Sequence, residues 1–107
     1  MLVSYSEIQK VCDEIVEKFH PEKVILFGSY AYGTPTEDSD VDLFVLMDHD
    51  GRELDAMTKI RVETKHRFPM DLIVRSPEVL KKRLEWKDWF LLDIVNKGKV
   101  LYDAHNT

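Results

Sequence analysis

Cysteine is nearly missing from this chain. Cys12 is the single one in 107 residues, which excludes an intrachain disulfide, and its place beside Val11 and Ile15 on a helical stripe marks it as core. No apolar run approaches membrane-spanning length, and the N-terminal stretch is amphipathic and acidic where a signal peptide would be basic and then apolar; the expectation is a cytoplasmic protein. Positive charge is scarce as well: 15 Lys and Arg against 20 Asp and Glu leave a net charge of −5. The longest basic cluster, Lys81-Lys82-Arg83, reads as a solvated helix face, so a stand-alone nucleic-acid binder, which would present a basic surface, is disfavoured. His20, His49, His66 and His105 are scattered without metal-ligand spacing and read as surface or capping residues. There is no repeat, linker or low-complexity tract. The chain therefore reads as one domain, residues 1–107, with material for a single core and none for a second substrate-binding lobe. Any group acceptor must bring most of its own surface.

What is present concentrates between Val24 and Met47, VILFGSYAYGTPTEDSDVDLFVLM. The apolar run Val24–Phe27 reads as a strand that stops at Gly28-Ser29. These small residues allow close backbone approach to a ligand, and a short helix following them would aim free N–H groups at an anion; Gly33 closes that helix. A second strand, from Val41 to Met47, has the composition of one covered on both faces, yet it admits two acids at its entrance. Period-two alternation puts Asp40 and Asp42 on the same face, where their repulsion is relieved by a cation. An oxygen-only donor set favours a hard ion such as Mg²⁺, which commonly takes one or two carboxylates together with substrate phosphates.

Gly28-Ser29, Gly33 and Ser39-Asp40-Val41-Asp42-Leu43 match in order and spacing the G-S-x-x-x-G…S-D-x-D-L signature, so the chain resembles the DNA polymerase beta-like nucleotidyltransferase superfamily. Its length resembles the minimal nucleotidyltransferase (MNT) branch, whose members are often the antitoxin half of HEPN/MNT toxin–antitoxin pairs. The resemblance implies an α/β (α+β) fold, a compact mixed β-sheet packed by helices. It departs at Tyr32, where many relatives carry arginine.

Along the rest of the chain, Ser4-x-x-Glu7 is a capping box, with Val3 and Ile8 placed as a hydrophobic staple. The helix it opens should run to about His20, with Ile8, Val11, Cys12, Ile15, Val16 and Phe19 on one stripe and Pro21 as its stop. Glu53 to roughly Arg67 reads as a second long helix with a thin apolar stripe at Leu54, Met57 and Ile60, suited to a mostly wet position. Met70 to Val74 is a third strand with one acid, Asp71, among apolar neighbours. The resemblance places the superfamily's third carboxylate here; a sheet-edge Asp taking a hydrogen bond is the bland alternative. Ser76 caps a helix with Pro77 in its first turn. From Trp86 to Lys97 a further helix is apolar nearly all round, and its Trp86, Trp89 and Phe90 side is expected to meet another chain, homo- or hetero-oligomeric, with cover by Leu80 and Leu84 as the intramolecular alternative. Lys99 to Tyr102 is a final short strand.

The resemblance implies ATP as substrate and two Mg²⁺ ions held by Asp40, Asp42 and Asp71, with Asp71 also able to take the acceptor's proton. Gly28, Ser29, Gly33 and Ser39 are the nucleotide-binding candidates. It further implies an acceptor hydroxyl on a HEPN-domain toxin. Two rival readings remain open: a binding antitoxin that acts by contact without chemistry, and a small-molecule modifier of the aminoglycoside nucleotidyltransferase type, for which the chain has little length to spare.

Overall fold

Helix α1 (Tyr5–Phe19) begins as its punctuation dictates. The Ser4 hydroxyl accepts from the Glu7 N–H at 3.2 Å, and the Glu7 carboxylate accepts from the Ser4 N–H at 3.4 Å. Val3 and Ile8 are both buried, and His20 caps the far end in the left-handed region at φ 51°. The chain then lays down strand β1 (Lys23–Phe27), the single-turn helix α2 (Ser29–Tyr32), strand β2 (Val41–Leu46), helix α3 (Glu53–Glu63), strand β3 (Met70–Arg75), helices α4 (Pro77–Glu85) and α5 (Trp89–Lys97) and strand β4 (Lys99–Asp103). A computed structural model describes residues 2–106. Among them no helix is long and apolar enough to cross a membrane.

The four strands form one mixed sheet in the order β3-β2-β1-β4, with β2 and β3 parallel and the other two pairs antiparallel. Alternation sorts their side chains into two cores. On one face Val24, Leu26, Val41, Leu43, Val45, Leu72 and Val74 pack under Ile8, Val11, Cys12 and Ile15 of α1 and Ile60 of α3. On the other, Ile25, Phe27, Phe44 and Leu46 pack against Leu91 and Ile94 of α5, with Leu80 and Leu84 of α4 beside them. Strand β2 is thus covered on both faces, as its unbroken apolar run requires. Asp42 belongs to the α5 face, since it follows Val41 and precedes Leu43, both of the α1 face.

Two boundaries differ from the sequence reading. Helix α3 stops at Glu63 instead of continuing to about Arg67. Thr64 turns extended at φ −108°, its hydroxyl donates to the Ile60 carbonyl at 2.8 Å, and the Lys65 N–H is taken by the Glu14 carboxylate at 3.0 Å. The contact with α1 outcompetes another helical turn. The stretch from Trp86 is also not one helix: Trp86 is the C-cap of α4, Lys87 sits at φ 57°, and Asp88 restarts the chain as the N-cap of α5, accepting from the Leu91 N–H at 3.2 Å. An aspartate able to cap is a start signal that the surrounding apolar run conceals.

Trp86 and Trp89 are 72% and 78% exposed, so α4 does not cover them; Leu80 and Leu84 pack instead toward the sheet.

Candidate active site

The ends of three strands bring the acids together. Because β1 and β2 are antiparallel, the last residue of β1, Phe27, lies opposite Asp42; because β2 and β3 are parallel, Asp42 lies opposite Asp71. The order across this end of the sheet is therefore Gly28, Asp42, Asp71. Asp40 stands two residues before Asp42, exposed on the loop that enters β2.

The electrostatics of Asp42 follow from this crowding. Its carboxyl is pushed from the usual 3.8 up to about 6, first by partial burial, then by the charge of Asp71, by a hydrogen bond shared with Asp71 and by the charge of Asp40. Among the described residues no three His, Cys, Asp or Glu side chains are drawn together tightly enough to hold an ion as they stand. The donor chemistry still fits a hard divalent cation. It is oxygen-only, Asp42 and Asp71 lie opposite each other on paired strands, and a bound cation would favour the ionised form of Asp42.

Gly28 fills a place that sequence reasoning gave to the ligand alone. Its backbone adopts φ 74° and ψ −159°, a combination essentially reserved for glycine, and a Cβ there would lie 2.0 Å from Oδ2 of Asp42. The glycine therefore makes room for the carboxylate as well as for an approaching phosphate. In helix α2 the Ala31 and Tyr32 N–H groups donate to the Gly28 carbonyl at 3.0 and 3.1 Å, which leaves the N–H groups of Ser29 and Tyr30 ahead of the first helical bond. The Tyr30 hydroxyl accepts from the Val3 N–H at 3.0 Å, tying this turn to the start of α1.

Gly33 and Ser39 have more indirect positions. Gly33 caps α2 at φ 85°, and nothing lies within 4 Å of where its Cβ would be, so it steers the chain. The Ser39 hydroxyl accepts from the Thr36 N–H at 2.8 Å, closing the turn that presents Asp40.

A hollow of about 280 Å³ opens beside Asp42, lined by Phe27, Gly28 and Tyr32 on one side and by Phe90, Asp93 and Ile94 of α5 on the other. Phe90 stands edge to face with Phe27, with ring centres 5.8 Å apart and planes at 86°. The sequence offered no sign that α5 walls the site, because its distance in the chain from Asp42 is bridged only by packing. A larger hollow of about 340 Å³ lies between α1 and residues 65–68, lined by both signs of charge. It is on the opposite face of the sheet and holds none of the three acids.

Residues 8–102 match the family described as a nucleotidyltransferase domain. Two proteins of Methanocaldococcus jannaschii, each named "Putative protein adenylyltransferase", are similar to this chain. One is 38% identical over 82 residues, spanning 76% of this chain and 78% of the relative. The other is 32% identical over 77 residues, spanning 72% and 75%. A crystal structure described as "a putative nucleotidyltransferase from Sulfolobus solfataricus" shares the fold, with a TM-score of 0.65 over 94% of this chain and 81% of that one at 19% identity.

Proposed function

Since the chain belongs to the nucleotidyltransferase domain family, with residues 8–102 inside its bounds, we propose that it transfers the AMP moiety of ATP to a hydroxyl of a partner protein, with magnesium. The observation that carries this reading is the row Gly28, Asp42, Asp71 across three strand ends. It brings a glycine with an exposed backbone, a charge-bearing carboxylate and a flanking carboxylate to one end of the sheet, where positioning and charge neutralisation at phosphorus can act together.

In this reading Gly28 and the N–H groups of Ser29 and Tyr30 hold the departing phosphates. Asp40 and Asp42 hold the metal, and Asp71, on the outer strand, shares it and faces the acceptor. Magnesium, when bound, neutralises the triphosphate and makes the acceptor hydroxyl more acidic. The hydroxyl oxygen bonds to the α-phosphorus, the bond from that phosphorus to the bridging oxygen breaks, and pyrophosphate leaves. Asp71 takes the hydroxyl proton. Asp42 stays ionised once its charge is matched, so its raised pKa of about 6 belongs to the half-buried, crowded carboxyl without a cation.

The names of the two M. jannaschii relatives support a protein acceptor. The exposed Trp86 and Trp89, on the same face as the site, supply an anchor for such a partner. The resemblance to MNT proteins makes a HEPN-domain toxin the candidate, and modification the means by which this chain acts as its antitoxin. The test is incubation with magnesium and ATP labelled either at the α- or the γ-phosphate, with and without the protein encoded by the neighbouring gene. The α-label alone should become covalently attached to that protein. Transfer of the γ-label, or tight association of the two proteins with no label transferred, would overturn the reading.

A further inference from the structure

Phe90 of α5 is 54% exposed although its ring is braced edge to face against the buried Phe27. A large aromatic ring held at its edge by Phe27, with over half of its surface uncovered, stands on the wall of a hollow that also contains Gly28 and Asp42. Resting on the nucleotidyl-transfer reading above, we propose that Phe90 is the stacking platform for the nucleobase, with Tyr32 across the mouth of the same hollow.

Direction decides between base and acceptor. In-line displacement uses the line that runs from Gly28 through Asp42 to Asp71, and the sheet order β3-β2-β1-β4 makes β3 an outer strand, open to an incoming acceptor. The nucleoside leaves the α-phosphorus off that line. The hollow opens to one side of it: Gly28 and Asp42 touch the line, while Phe27, Tyr32 and the α5 residues Phe90, Asp93 and Ile94 lead away from it, and no residue of β3 contributes. Its volume of about 280 Å³ is at the small end for ligand sites, which suits one nucleoside and is too little for a segment of folded protein. The floor supplies the polar end, at Gly28 and Asp42, and the walls supply the aromatic one. Asp93, ion-paired with Lys97 at 3.4 Å, keeps the outer rim polar.

The experiment is a calorimetric titration of magnesium–ATP and of magnesium–tripolyphosphate into the wild-type protein and into the Phe90→Ala and Phe90→Trp variants. Tripolyphosphate carries the anionic chain without a base. Stacking of one base on one aromatic ring corresponds to roughly 5- to 150-fold in affinity, so Phe90→Ala should weaken ATP about tenfold or more while leaving tripolyphosphate unchanged, and Phe90→Trp should retain ATP. An unchanged ATP affinity in Phe90→Ala overturns the proposal, including the case in which only labelling of the partner protein falls, which would assign the ring to the acceptor. Equal weakening of both ligands, with a lowered melting temperature, overturns it as well and makes the ring a support for the cradle. If the wild type binds neither ligand, the nucleotidyl-transfer reading fails and this inference with it; ATP binding that ignores Phe90 removes the inference alone.

Discussion

Replacing Gly28 with alanine asks two things of the structure at once. The backbone at φ 74° and ψ −159° must be held by an L-residue, and a methyl group must occupy a point 2.0 Å from Oδ2 of Asp42. The first costs about 1–3 kcal/mol at a glycine-only conformation. The second forces Asp42 off its rotamer and away from Asp71, an overpacking cost of about 1–3 kcal/mol. Together they predict a loss of roughly 2–6 kcal/mol, and for a domain of this size each kcal/mol lowers the melting temperature by about 4–8 °C. Gly33 is the internal control. It also has positive φ, at 85°, but a Cβ there meets nothing within 4 Å, so Gly33→Ala carries only the backbone term, about 1–2 kcal/mol. Adding Asp42→Ala to Gly28→Ala should recover the overpacking part, a coupling of about 1–3 kcal/mol in a double-mutant cycle. Urea and thermal melts without added metal measure all four proteins. If Gly28→Ala is no worse than Gly33→Ala, or if Asp42→Ala gives no rescue, the abutment of Gly28 and Asp42 is not what the site is built on.

Three further outcomes follow from the same geometry. Asp42 is an acid whose folded pKa of about 6 lies above its usual 3.8, so its destabilising contribution is absent below pH 4, grows as pH rises toward 6 and is complete above it; at its half-buried position screening leaves roughly 1–2 kcal/mol, and Asp42→Asn should raise metal-free stability at pH 7 by about that much and flatten the profile between pH 4 and 6, whereas a lower melting temperature in the variant would mark the carboxylate as structural. Ser29→Ala should weaken ATP binding only severalfold by titration, because the backbone N–H groups of α2 remain; abolished binding would move the contact from backbone to hydroxyl. Trp89→Glu should change stability by less than about 0.5 kcal/mol, its side chain being 78% exposed, yet abolish co-sedimentation with the partner protein; retained association would place the partner surface elsewhere.

The two long-range features of the site differ in how far the chain announces them. Asp40 and Asp42 are visible because acids at the mouth of an apolar strand need an explanation, and Gly28-Ser29 because an apolar strand stops abruptly there at two small residues. The partner of Asp42 is less visible. That Asp71 lies beside it depends on the parallel register of β2 and β3, set by Leu43 and Leu72, Val45 and Val74 packing toward the same face. Nothing local to Asp71 encodes that register. Helix ends followed the same rule: α1 carries a complete capping box and starts as read, whereas α3 is cut short by a contact 51 residues away, between Lys65 and Glu14. The break at Lys87-Asp88 was hidden among aromatic residues. With it went the placement of α5, which turns Phe90 to the hollow and Trp89 to solvent, where an unbroken helix puts both rings on one partner-facing side.

Asp71 is exposed and lies opposite Asp42 across the parallel strands β2 and β3, so Asp71→Asn should leave the fold intact while removing the proposed proton acceptor at the reacting hydroxyl. Label from α-labelled ATP on the partner protein, followed in a single turnover beside a melting curve of the same sample, puts the assignment to its most direct trial. The expected result is labelling by the wild type and a fall of at least about 100-fold in Asp71→Asn at a melting temperature no lower than that of the wild type. Equal labelling by the two proteins would contradict it.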